Sequence, residues 1–102
     1  MQHYTLQTRF VTRESMGNRL LNILQQTYNI IAYAHGCHLY LINQDSEDSD
    51  YILVTELWDS QESHAISQSL DRCKELMSQA SPLLAAEPET RVLRAVAGKG
   101  LI

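Results

Sequence analysis

The spacing of apolar positions changes along the chain, and each change marks an element. Residues 3–11 are rich in aromatic and β-branched types and alternate, with Tyr4, Leu6, Thr8 and Phe10 on one face, which predicts a strand. A polar turn follows at 12–15, and Ser15 is the expected N-cap of what comes next. From Met16 the period becomes helical. Met16, Leu20, Ile23, Leu24, Thr27, Ile31 and Ala34 form one apolar stripe. Gly17 weakens the first turn by up to about 1 kcal/mol relative to Ala, and Gly36 supplies a stop. Residues 37–43 read as a second strand, 44–50 as an acidic connection, and 51–58 as the strongest strand of the chain. A second helix is expected from Asp59, with Glu62 at capping-box spacing. Ile66, Leu70, Cys73, Met77 and Ala80 give its expected buried stripe, and the polar Ser67-Gln68-Ser69 stretch predicts a kink or break. Ser81-Pro82 ends the helix. A loop leads to a last strand at 90–96 and a short glycine-containing tail at 98–102.

The order β-α-β-β-α-β predicts a single α+β domain over 1–102, with a core at about 3–97. Two β-α-β halves joined through a central hairpin give a ferredoxin-like, four-stranded antiparallel sheet with both helices on one face. Strand 51–58 breaks the usual pattern. Tyr51, Leu53 and Leu57 are apolar on one side, and Ile52, Val54 and Trp58 on the other. An antiparallel sheet with one face in water should alternate cleanly. Both faces are therefore expected to be covered, and a second copy of the chain is the natural cover, a homodimer packed sheet against sheet.

Charge sharpens this picture. Eight Lys and Arg against twelve Asp and Glu leave a formal charge of −4. Asp45, Glu47, Asp48 and Asp50 account for the whole excess, and they fall on the expected hairpin tip. Nucleic acid is excluded as a partner, because no basic face exists to meet phosphates. No apolar run approaches the roughly 20 residues of a membrane span. No cationic-then-apolar leader is apparent, so a cytoplasmic location is expected. Two cysteines, Cys37 and Cys73, match no metal or redox spacing and read as free thiols.

Glu56-Leu57-Trp58-Asp59-Ser60-Gln61-Glu62 at the end of the third strand resembles the E-x-W-x-S-x-E signature of the antibiotic biosynthesis monooxygenase (ABM) family. Gly36-Cys37-His38-Leu39-Tyr40, the acidic hairpin and Leu83-Leu84-Ala85-Ala86-Glu87-Pro88 are similar to the corresponding segments of that family. The resemblance covers about 3–97 and implies a dimeric α+β barrel. Its activities range over quinone-forming oxygenases, haem-degrading enzymes and isomerases. It implies for this chain a monooxygenase that needs no cofactor and acts on a small aromatic, hydroquinone or polyketide-like substrate. The competing expectations are a non-catalytic, stress-associated or ligand-binding dimer on the same scaffold, and an isomerase of phosphorylated metabolites. The last is disfavoured by the lack of clustered Arg and Lys.

The resemblance also nominates residues. Trp58 matches a tryptophan that walls the substrate cavity in the quinone-forming members. His64 stands where those members carry a tyrosine, and it is the candidate catalytic base. Thr8, Tyr40 and His38 are candidate substrate-binding residues, Tyr40 and His38 because they share a strand face. Two departures are plain. Val54 replaces an expected asparagine, and Ser67 a histidine common in other members. The positions matching the haem-degrading branch are Thr8, Ser67 and Met77, which do not fit it. No metal is expected. His35, Cys37 and His38 lack a further ligand, and consecutive strand residues diverge. The acidic run has Asp50 where a calcium loop requires Gly.

Overall fold

The computed structural model describes residues 3–100. Its elements are β1 (Tyr4–Val11), α1 (Gly17–Ile31), β2 (Cys37–Gln44), β3 (Tyr51–Trp58), α2 (Gln61–Gln68), α3 (Asp71–Ala80), a 3-10 turn at Ser81–Leu83, and β4 (Glu89–Arg94). The strands form one antiparallel sheet in the order β2-β3-β1-β4. This is the ferredoxin-like arrangement that the alternating elements predict.

Register decides which residues meet the helices. Leu6 faces Glu56, Thr8 faces Val54 and Phe10 faces Ile52 across β1 and β3. On this side Leu20, Ile23 and Leu24 of α1 and Leu76 and Ala80 of α3 pack with Phe10, Ile52 and Val54 into the main core. A second cluster joins Leu6, Ile31, Trp58 and Cys73 at the other end. The opposite face carries Leu57 between Thr5 and Leu39, Thr55 between Gln7 and Leu41, and Leu53 between Arg9 and Asn43. Leu39, Leu41 and Leu93 are 42%, 45% and 41% exposed there.

Three local expectations are corrected. Ser15 is not the N-cap of α1. It adopts φ +66°, and Met16 takes the cap position without a side-chain bond. The first turn is satisfied from the hairpin instead. Asp50 accepts from the Ser15 N–H and the Gly17 N–H, both at 2.9 Å. The acidic tip is thus partly a clasp, and Asp45 and Asp48 serve the turn itself. Asp45 accepts from the Glu47 and Asp48 N–H groups, and Asp48 from that of Asp50. Second, the cap of α2 is Ser60 rather than Asp59, with its hydroxyl accepting from the Ser63 N–H at 3.1 Å. Third, the stripe expected for the second helix is wrong, although the break expected at 67–69 is present, between α2 and α3. The break resets the helical phase, so Ile66 and Leu70 are exposed, and Ser67, Cys73, Leu76 and Ala80 form the buried side.

Candidate active site

The helices do not close flush on the sheet. Between them lies a cavity of about 240 Å3. Its floor is built from same-face strand residues: Leu6, Thr8 and Phe10 of β1, Val54 and Glu56 of β3, and Tyr40 of β2. Leu24 and Thr27 of α1 and Met77 of α3 form apolar and hydroxyl parts of the roof. His64 and Gln68, one helical turn apart on α2, complete it. Pro88 and Thr90 line the side next to β4, where Gln68 and Thr90 are exposed. The Thr8 and Thr90 hydroxyls lie 3.1 Å apart.

The polar end centres on Glu56. It occupies a core-facing position of an otherwise apolar strand and is only 7% exposed. Residues i and i+2 of a strand share a face, so Trp58 stands beside it, and the indole Nε1–H donates to Glu56 Oε1 at 3.1 Å. His64 Nε2 lies 3.8 Å from the same oxygen. The imidazole meets the Trp58 ring edge-on at 5.5 Å between centroids and the Tyr4 ring at 5.6 Å.

Burial sets the protonation here. It pushes the Glu56 carboxyl up, partly offset by the Trp58 hydrogen bond. It pushes the His64 imidazole down. The Tyr40 hydroxyl is raised far above its ordinary value, by burial first and the Glu56 charge second. The 3.8 Å contact is therefore not a standing ion pair, because both partners are driven toward their neutral forms. His64 is driven toward the free base, and Tyr40, which lines the same cavity, keeps its proton.

Three of the residues singled out in the sequence, Thr8, Tyr40 and His64, are brought together around this cavity. Trp58 is not a cavity wall. It has no exposed surface and stands behind Glu56 and His64. His38 does not share the face of Tyr40. A bulge between Cys37 and Leu39 takes it out of the alternation, and it is exposed, with its ring against His3. Glu56 was missed as a site residue. Its signal was present, a carboxyl at an even, core-facing position of the most apolar strand. Among the described residues no group of three or more His, Cys, Asp or Glu is placed to hold a metal ion.

Similar architectures are known among solved structures. A protein of Chloroflexus aurantiacus J-10-fl that bears the antibiotic biosynthesis monooxygenase name is 32% identical, with TM-score 0.78, over 95% of this chain and 96% of its own. Proteins of the same name from Nitrosomonas europaea (8% identity, TM-score 0.87, 92% and 90% of the two chains) and Caulobacter crescentus CB15 (16%, 0.85, 94% and 92%) share the fold. No family model and no curated protein sequence matches the chain. The identity and near-complete coverage of the Chloroflexus protein, on the ferredoxin-like sheet described above, define the class. This chain belongs to the antibiotic biosynthesis monooxygenase family.

Proposed function

We propose that the chain is a monooxygenase that oxidises a small, electron-rich aromatic, a hydroquinone or anthrone-like phenol, with molecular oxygen. The observation that supports this reading is the cavity, whose largely apolar lining includes the His64 imidazole, pushed toward its neutral form, and the Tyr40 phenol, held protonated. Its size limits the ligand. A cavity of roughly 150 Å3 holds one benzene ring, so about 240 Å3 has room for a small aromatic of more than one ring.

His64 removes the phenolic proton. The resulting anion is electron-rich enough to pass an electron to oxygen, so the substrate supplies the reducing power. Recombination of the two radicals gives a hydroperoxide, which loses water to leave a quinone. One oxygen atom enters the product and the other leaves as water, and the balance closes without a further reductant. In this reading Tyr40 donates to the developing oxyanion, and the Thr8 and Thr90 hydroxyls hold a second substrate oxygen. The apolar, half-exposed open face, where the Thr5 hydroxyl is buried without a partner, supports a homodimer formed sheet to sheet. The two free thiols suit a reducing cytoplasm.

Oxygen consumption with a panel of one- and two-ring hydroquinones and anthrones tests the reading. Turnover by the wild type that falls about 100-fold or more in His64→Ala is expected. No uptake above the uncatalysed rate, with an apolar ligand still bound, would establish the non-catalytic binding dimer instead.

A further inference from the structure

A carboxyl at the floor of an apolar cavity is costly. Removing a charge from water without a cation beside it costs several kcal/mol, and a leucine at the same position would cost nothing. Glu56 is nevertheless there, and its geometry is specific. One oxygen is held by the Trp58 indole N–H at 3.1 Å and lies 3.8 Å from His64 Nε2. Cys37 and Tyr40 face it from β2, and Cys73 of α3 lies beside Tyr40. Tyr4 of β1 stands on the far side of the imidazole. None of these is a cation. Among the described residues in contact with Glu56, His64 is the one group that can carry a positive charge.

We propose that Glu56 is the positioning partner of His64, a buried carboxyl that shares the pair's proton and takes up the charge when the imidazole is protonated by substrate. This rests on the reading of His64 as the base. In the resting site the imidazole is neutral. When the phenol gives its proton to Nε2, an imidazolium forms in a site with little water. The Glu56 carboxylate is then its ion-pair partner, across a distance the fold already sets, and the proton stays on the imidazole until it leaves with the water lost from the hydroperoxide. Trp58 keeps the carboxyl oxygen aimed in both states. That explains a tryptophan buried behind the cavity rather than lining it. The base is in this view a three-residue unit, Trp58, Glu56 and His64, of which only His64 meets substrate.

The test needs no substrate. Nuclear magnetic resonance titration would follow the His64 imidazole and the Trp58 indole N–H in wild type, Glu56→Gln and Glu56→Asp. Gln keeps an oxygen for the indole and removes the ionisation. In wild type, His64 should titrate over two coupled steps, with the Trp58 N–H resonance moving at the same midpoints. In Glu56→Gln it should titrate in one step at lower pH, and Glu56→Asp should restore part of the coupling. In turnover, the acidic limb of the pH–rate profile should move down with it. Identical His64 titration in wild type and Glu56→Gln would overturn the proposal. If the Gln variant does not fold, wild type alone decides, because independent midpoints for His64 and Trp58 would also overturn it. Coupled titration without oxygen uptake would leave the pair intact and refute only the oxygenase reading.

Discussion

Replacing Gly17 by alanine should destabilise the fold, although helix propensity alone says the opposite. At an ordinary site in a helix, Gly→Ala stabilises by about 1 kcal/mol. Gly17 is buried in the first turn of α1, under the hairpin tip. A Cβ there would stand 1.8 Å from the Ser49 carbonyl oxygen, 2.6 Å from its carbon and 2.9 Å from Asp50 Oδ1. Ordinary contact begins near 3.4 Å, so the Ser49 backbone has to retreat by about 1.6 Å. That movement pulls Asp50 away from the Ser15 and Gly17 N–H groups and leaves the start of α1 without its cap. Overpacking of this kind costs about 1–3 kcal/mol, before the lost hydrogen bonds are counted. It outweighs the propensity gain, and the net loss should be about 2 kcal/mol. For a domain of this size that lowers the melting temperature by about 8–16 °C. Thermal unfolding followed by circular dichroism, at one fixed protein concentration, measures it. A melting temperature equal to or above that of the wild type would refute the clasp between hairpin and helix.

Further outcomes follow from individual side chains. The Ser15 and Gly17 N–H groups hold the Asp50 carboxyl below its ordinary value of 3.8. Its contribution is therefore present above that value and lost as pH falls through the lowered one. Asp50→Asn should be less stable than wild type in urea at pH 7, with the gap closing in strong acid. Glu56 has the opposite sign, because burial raises its carboxyl. The penalty is absent in acid and grows as pH rises through the raised value, so Glu56→Gln should unfold at higher urea than wild type at pH 7.5 and at nearly the same urea at pH 4. A wild-type advantage at pH 7.5 would contradict this. On the open sheet face, Leu41→Arg should shift sedimentation from a dimer of about 23 kDa, twice 11.6 kDa, to the monomer. A wild type that sediments as a monomer at micromolar concentration would remove the dimer.

The strands were legible because short-range chemistry specifies them. Alternation in 4–11 and the apolar-rich run 51–58 appear in the structure as β1 and β3. The caps were misread for a physical reason. The carboxylate that serves α1 comes from Asp50, 35 residues along the chain, and no local motif announces it. Ser60 and Asp59 are both good caps, and only the entry angle of the chain chose Ser60. The stripe through Ile66 and Leu70 carries one helical phase across the expected interruption, and the break at Ser69 and Leu70 cancels that phase. In the site, Thr8 and Tyr40 followed from strand parity and His64 from its place after Trp58. Glu56 was hidden by the same signature that revealed the family, since its role depends on a histidine from another element. His38 was misassigned because a single-residue bulge cannot be seen in a pattern of alternating types.

The most direct test of a small-aromatic monooxygenase built on His64 is an oxygen-18 labelling experiment. The purified protein, with chelator present, would turn over the best hydroquinone or anthrone under labelled molecular oxygen. One labelled atom per quinone formed is expected, with the second recovered in water, and the His64→Ala variant should form product no faster than the uncatalysed reaction. Product that takes its new oxygen from water, or forms at the same rate with and without His64, would contradict it.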